Sequence, residues 1–465
     1  MTAKNIPHPS SDYINKILSD QITEDMRHFH IPGVALGLLF NDKIYTSGFG
    51  VTNVEHPLPV TDDTLFQIGS ITKTFTATVA MQLVEAGKLD LDAPVQSYLP
   101  SLRLADSTVA SKVTLRHLFS HTGGWAGDYF HDFGNGDDAL EKIVNKLVDL
   151  PQLTPLGKVW SYNNAGFYIA GRILEVISGK TYEVLVKETL LDPLGMSHSF
   201  YFPGDIMTYR FATGHEAVFT NSPETPKIAR PWPIARSGNP VGGLSSTIND
   251  LLRYAQFHLE GGLSQAGKQL LSGDSFRIMQ SPRTPASFNQ YMGVSWFIRE
   301  VDGVRILRHG GATNGQMATF EFIPQYRFAL VILTNSDRGD ELYKPVTKRI
   351  FKEFLNLDEK DPQAIPATLE TLSQYVGLYD APLDELKIYI QDGSLFLQSI
   401  PKGGFPNINS PAPPPPPPVR LASCGEDRLI CLDEPMKNNI AEIIRKPDGN
   451  IAWLRISGRI HAKLT

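Results

Sequence analysis

Strand-like sequence occurs in two blocks far apart in the chain, and this limits the folds open to it. Val34–Phe40 and Lys43–Ser47, joined by Asn41-Asp42, read as a β-hairpin. Val294–Arg299, Val304–Arg308, Met317–Ile323 and Phe328–Thr334 read as consecutive strands. Between the blocks the pattern is helical, at Ser70–Glu85, 114–120, 137–149, 165–178, 181–188 and 247–260. A helix over 11–30 precedes them, with Ile14, Ile17, Leu18, Ile22, Met26 and Phe29 on one face, and an amphipathic helix over 343–355 follows. Strands from both ends around a helical insertion predict an α+β fold. One antiparallel sheet is flanked by helices, with an all-helical subdomain between its halves.

The 465 residues exceed one compact core, and the pattern changes after that last helix. Asp358–Thr368 is polar with two prolines and reads as a linker. Short strands follow at Gly377–Tyr379, Leu386–Gln391, Ser394–Gln398, Arg428–Leu432, Ile440–Arg445 and Ile451–Ile456, with tight turns at Asp392-Gly393 and Asp448-Gly449. The expected division is a first domain over 1–356, a linker over 357–372 and a small antiparallel β-barrel over 373–465. Pro411–Pro418, broken only by Ala412, must be polyproline II. It reads as an exposed strand connection, a docking ligand for a partner, or an arm toward another domain or subunit. Cys424 and Cys431 read as two reduced thiols or one hairpin disulfide.

Composition removes several classes. A net charge of −6 gives no basic field, so nucleic acid is not an expected partner. The longest apolar runs, Val34–Phe40 and Phe328–Leu333, are too short to span a bilayer, and Met1–Asn15 has no apolar signal core. A cytoplasmic protein without a membrane span is expected. G-x-S-x-G, H-E-x-x-H, a Walker loop and a strand-preceded G-x-G-x-x-G are all absent, so no metal and no cofactor are expected.

Ser70-Ile71-Thr72-Lys73 opens an apolar helix. Positions i and i+3 share a helix face, so the Lys73 amine can approach the Ser70 hydroxyl. Serine needs a base to become a nucleophile. A lysine serving as that base at neutral pH must give up about 4 kcal/mol of proton affinity, which burial and a neighbouring cation supply. S-x-x-K recurs at Ser399–Lys402, where Pro401 forbids a helix interior. Tyr162-Asn163-Asn164 lies just before a helix; a tyrosine relays protons and an asparagine amide binds a carbonyl or holds a lysine. His309-Gly310-Gly311-Ala312 follows a strand, and its glycines let a substrate backbone approach the strand edge. The N–H groups of Ala312 and Ser70 together suit an oxyanion hole. His121-Thr122-Gly123 competes as an H-x-G but has no strand before it and reads as a structural turn.

Ser-x-x-Lys, Tyr-x-Asn and His-x-Gly in this order resemble the serine β-lactamase and penicillin-binding protein superfamily, its class C β-lactamase-like branch of esterases and D-aminopeptidases above all. The flanks Phe66–Lys73, Val113–Gly124, Pro155–Gly171 and Gly242–Asp250 agree, and the likeness spans residues 12–352. Tyr375–Tyr379 is similar to the start of lipocalin-like domains appended to some members.

The resemblance implies that Ser70 becomes acylated, that Lys73 and Tyr162 share the proton transfers, and that Tyr162 activates water for deacylation. It places Asn164, His309, Gly311 and Ala312 against the substrate. His309 stands where a lysine is usual, so the charge there is expected to depend on pH. Gly310 replaces the residue that binds a substrate carboxylate, which favours esters, amides or peptides over penicillins. Arg308 is one source for the cation that lowers the Lys73 proton affinity, or a group to bind a carboxylate; an exposed strand-edge arginine is the other reading. Trp125 and Tyr129 are candidates to line the pocket, and Trp232 to cover it.

The expected function is a serine hydrolase of the peptidase or esterase type. It cleaves small esters or D-amino-acid-containing peptides through a Ser70 acyl-enzyme. The alternatives are an acyltransferase or peptide cyclase using the same acyl-enzyme, a β-lactamase, and a non-catalytic binding protein. The partner is a small-molecule or peptide substrate, with homo-oligomerisation through the C-terminal domain left open. Deleting residues 370–465 is expected to change substrate range or assembly more than the chemistry at Ser70.

Overall fold

The computed structural model describes residues 11–40, 42–216 and 226–464, so the turn residue Asn41 lies outside the described residues. The strand Gly33–Phe40 pairs antiparallel with Phe328–Thr334, Val34 opposite Thr334 and Leu39 opposite Ala329. The two ends of the sheet-and-helix body thus meet in one sheet. Across this eight-stranded sheet the order is Lys43–Gly50, Gly33–Phe40, Phe328–Thr334, Gln316–Ile323, Val304–Thr313, Phe297–Val301, Gln290–Met292 and Thr284–Pro285. The α+β architecture expected from the alternating pattern is the one found.

Both faces of the sheet are covered, which explains why its central strands are continuously apolar rather than alternating. Ala35 and Leu39 point into the core on the helical side, while Val34, Leu36, Leu38 and Phe40 point to the other face. There the helix Gly339–Leu355 packs through Val346, Ile350 and Phe354, with Leu18 and Ile22 of Ser11–Phe29 beside it. Gly37 allows a close crossing: a Cβ there would lie 2.2 Å from Ile248 Cγ2, at the start of the helix Ile248–Leu259.

The helix Thr72–Glu85 is central, with every residue from Thr72 to Met81 buried. Its threonines spend their hydroxyls locally. Thr72 donates to Gly69 O at 2.7 Å, Thr74 to Ile71 O at 2.8 Å and Thr78 to Thr74 O at 2.8 Å. Thr76 reaches across to Pro240 O at 2.7 Å. A polar helix is thereby buried without unpaired hydroxyls. Ser70 precedes it on a 3-10 turn, Gly69–Ile71, rather than in the helix proper.

The C-terminal part closes into an eight-stranded antiparallel barrel around Tyr379, Leu386, Leu397, Leu421, Leu429 and Leu454. Two of its strands, Val419–Gly425 and Arg459–Lys463, were not anticipated from sequence. The first begins directly after the proline run, and the second is short and carries charge at Arg459 and Lys463. The proline run is an exposed connection between Ser394–Pro401 and Val419–Gly425, held at Pro416 O by the Gln398 amide at 2.7 Å. Both cysteines are free thiols. Among the described residues no helix is long and apolar enough to cross a membrane.

Candidate active site

The Ser70 turn lies directly against the strand Val304–Thr313. Gly69 has φ +52°, and a Cβ there would fall 2.6 Å from Ala312 N. A Cβ on Gly311 would fall 1.9 Å from Ile68 O. These two glycines set the distance between the serine and the strand. Gly311→Ala should therefore push strand and turn apart. We expect a loss of about 2 kcal/mol in stability and of most turnover, read by thermal denaturation and ester hydrolysis. His309–Ala312 lies inside this strand, not after it as the pattern suggested. The neighbouring strand Phe297–Val301 pairs only as far as Arg308, so that edge beyond His309 is left without a strand partner.

Lys73 lies one turn beyond Ser70. Its Nζ is 2.9 Å from Ser70 Oγ and donates to Val241 O at 2.8 Å. The side chain is wholly buried, and Nζ sits 5.1 Å from the Tyr162 ring centroid and 5.5 Å from that of Phe167. Burial holds its proton affinity well below that of an ordinary lysine. The Arg459 guanidinium pushes the same way, and the Asp128 carboxylate opposes. Arg308, the cation considered from sequence, does not act on Lys73; Arg459, from the far end of the chain, does.

Tyr162 is held by its surroundings on several sides. Its ring stacks on His121 at 4.4 Å and lies parallel to Phe297 at 6.4 Å. The phenol oxygen is buried with no well-formed hydrogen bond. Burial raises the phenol above the usual tyrosine range, while the Ser70 hydroxyl beside it pulls the other way. His121 accepts from Asn163 N–H through Nδ1 at 3.0 Å, so this turn histidine orients the Tyr162 segment. Its place in the tight His121-Thr122-Gly123 turn was the only sequence signal for that.

Asn163 and Asn164 divide the work at the start of the helix Ala165–Ser178. Asn163 accepts from Gly166 N at 2.8 Å and donates to Trp125 O at 2.8 Å. The Asn164 amide nitrogen donates to Asp128 Oδ1 at 2.7 Å, so one of its two donors is committed within the protein.

His309 corrects an expectation. Its Nδ1 is 2.6 Å from its neighbour's carbonyl, Gly310 O, and so carries the proton, which leaves Nε2 as a buried acceptor without a partner. Burial, with Lys73 adding to it, pushes its pKa down to about 3. The ring is neutral through the physiological range, and the pH-dependent cation expected there is absent. His309→Gln should leave the shape of the pH–rate profile between pH 5 and 8 unchanged, as measured by kcat/KM on a chromogenic ester. Trp125 is buried in the core, with its indole facing Gly123. Trp232 donates from Nε1 to Ala212 O at 2.9 Å and accepts from the Gln67 amide.

The barrel reaches this site. Tyr162 N–H donates to Gly458 O at 2.8 Å, and Ile460 N–H donates to Ser161 Oγ at 3.3 Å. Arg455 donates to Trp160 O at 3.2 Å. Arg459 donates to both oxygens of Asp128, at 2.5 and 3.1 Å, and its guanidinium lies 5.2 Å from the Tyr162 ring centroid. On the other side, Phe405 meets Phe130 edge-on at 5.1 Å, and Ile408 N–H donates to Phe130 O at 2.7 Å. The barrel thus contacts the segment that carries Tyr162.

Comparison with known proteins agrees with this geometry. The family described as Beta-lactamase matches residues 18–352. A Penicillin-binding protein 4 of Amycolatopsis lactamdurans is 33% identical over 344 residues, covering 73% of this chain and 90% of that protein. An unguisins hydrolase of Aspergillus violaceofuscus is 24% identical over 68% of this chain and 60% of its own length. A crystal structure of SurE with D-Leu superposes with a TM-score of 0.73 at 23% identity, over 97% of this chain and 99% of the other. That last similarity of fold runs through the barrel, which the family match does not reach.

Proposed function

Because this chain belongs to the beta-lactamase family of serine hydrolases, we propose that it opens amide or ester bonds of small esters or D-amino-acid-containing peptides through an acyl-enzyme on Ser70. The observation that carries the reading is the contact of the buried Lys73 amine with the Ser70 hydroxyl at 2.9 Å. Burial lowers the proton affinity of this amine, so more of it is in the proton-accepting form than in an ordinary lysine. The Tyr162 phenol, held above its usual range, stays protonated there.

In the proposed cycle Ser70 Oγ attacks the substrate carbonyl carbon as its proton passes to Lys73. The oxyanion forms against the N–H groups of Ser70 and Ala312, on the turn and strand that Gly69 and Gly311 bring together. The carbonyl re-forms, the bond to the leaving group breaks, and the leaving group takes a proton from Lys73 directly or by way of Tyr162. Water then adds to the ester carbonyl, giving a proton to the same pair; the bond between the acyl carbon and Ser70 Oγ breaks as that proton passes to Oγ, and the acid product leaves. Asn164, with one amide donor committed to Asp128, offers the rest of its amide to the substrate.

Two observations bear on the substrate. Position 309, beside Gly310, offers a neutral acceptor, His309 Nε2, where a charged side chain would favour a free carboxylate. The fold shared with SurE, solved with D-Leu, supports a substrate that contains a D-amino acid. The test is intact-protein mass after mixing with a short ester, a D-amino-acid peptide and a penicillin. An adduct with the ester or peptide that is absent in Ser70→Ala supports the reading; an adduct with penicillin alone points to a β-lactamase. Adding a free amine and analysing the products separates hydrolysis from acyl transfer.

A further inference from the structure

We propose that Arg459, carried by the C-terminal barrel, is a positioning residue of the Ser70 site, and that its ion pair with Asp128 fixes both the Tyr162–Asn164 segment and the charge facing Lys73. The proposal rests on the reading of Lys73 as the proton acceptor from Ser70. The geometry is specific. Asp128 joins two elements from opposite ends of the chain, accepting from Asn164 at 2.7 Å and from Arg459 at 2.5 and 3.1 Å. The adjoining turn at Gly458 takes the Tyr162 N–H, so backbone and side chain of one hairpin hold one segment. Gly458 has φ +79°, and a Cβ there would sit 3.2 Å from Trp160. The turn needs a glycine to come this close.

Lys73 Nζ and the Arg459 guanidinium approach the same ring, at 5.1 and 5.2 Å from the Tyr162 centroid. A fixed cation there opposes a second charge on Lys73. The other groups around Lys73 are Asp128, which opposes Arg459, and His121 and His309, both neutral because burial lowers their proton affinity. Arg459 also lowers the proton affinity of Tyr162, so its effect has one sign whichever group takes the proton. The Arg459 side chain is still 33% exposed, so water screens the interaction and the effect should be modest.

The experiment uses the full chain, labelled with 13C at lysine Cε. The Lys73 signal is assigned by its loss in Lys73→Arg, and its ionisation midpoint is compared among wild type, Arg459→Gln, Arg459→Lys and Asp128→Asn. The pH profile of kcat/KM on p-nitrophenyl acetate is recorded alongside. Removing the cation should raise the midpoint, and with it the acidic limb of the profile, by about half to one pH unit. The loss in rate is then about 3- to 10-fold below the limb and small on the plateau. Arg459→Lys should return the midpoint toward wild type, and Asp128→Asn should move it the opposite way. Midpoints that stay fixed, or that move together in Arg459→Gln and Asp128→Asn, would overturn the proposal. So would an Arg459→Gln effect confined to KM. If Arg459→Gln does not fold, a midpoint lowered in Asp128→Asn and kept near wild type in Arg459→Lys supports the proposal, and an unmoved or raised midpoint in Asp128→Asn overturns it. The lysine titration needs no turnover, so an enzyme inert toward the ester would count against the Ser70 reading and leave this measurement standing.

Discussion

Replacing Ser70 by Ala should remove turnover of any accepted ester or peptide while the protein keeps its fold. The expected loss is at least about a thousandfold in kcat, the scale seen when a nucleophile that works as one unit with its base is deleted. Folding should be spared, because Ser70 contributes one hydroxyl on a short turn whose position is set by Gly69 and Gly311. The measurements are steady-state kinetics, thermal denaturation and intact mass. Residual activity above about one part in a thousand, with the adduct still forming, would place the nucleophile elsewhere.

Replacing Lys73 by Ala should cost about 100- to 10,000-fold in kcat, the range for loss of a positioned general base. Substrate binding should change far less, since the amine is buried beneath the serine and engaged by Ser70 Oγ and Val241 O. The sign of the pH dependence follows from the direction of the Lys73 shift. Burial favours the neutral amine, so activity should rise with pH through a limb lying well below the ordinary lysine range, and be fully present above it. In Lys73→Ala that limb should vanish from the residual rate. Tyr162→Phe should lower kcat more than it weakens binding and keep the limb, because the phenol is held protonated by burial. A limb unmoved by Lys73→Ala would take the lysine off the proton path and put Tyr162 in its place. This result can be told apart from simple damage, since a misfolded enzyme loses the plateau as well.

Much of this protein was readable along the chain. The apolar strand-length runs at Gly33–Phe40 and Phe328–Thr334, bracketing helical sequence, were enough to predict one sheet made from both ends. Spacing of three on a helix brought Ser70 and Lys73 together, because helix geometry is local and carries its own distances. Strand ends were less legible. His309–Ala312 continues the strand Val304–Thr313 even though two glycines disfavour it, because pairing to Gln316–Ile323 outweighs their weak strand propensity. The strand Arg459–Lys463 escaped notice because a five-residue strand with charge at both ends has too little pattern to stand out.

What the residues could not reveal singly was electrostatic. Histidine at position 309 suggested a pH-dependent cation, since an isolated imidazole titrates near neutrality. Only the packing around it makes it a neutral acceptor, because the cost of burying charge depends on all the neighbours at once. Arg308 was a reasonable candidate for the cation near Lys73 because it adjoins the His309–Ala312 motif in sequence. The fold instead delivers Arg459, whose partner Asp128 lies 331 residues away in sequence. The sequence therefore determined which reactive groups the protein carries and the local spacing of its serine and lysine. The tertiary structure decided which charges face them, because Coulomb interactions and desolvation follow distance in space and have no period along the chain.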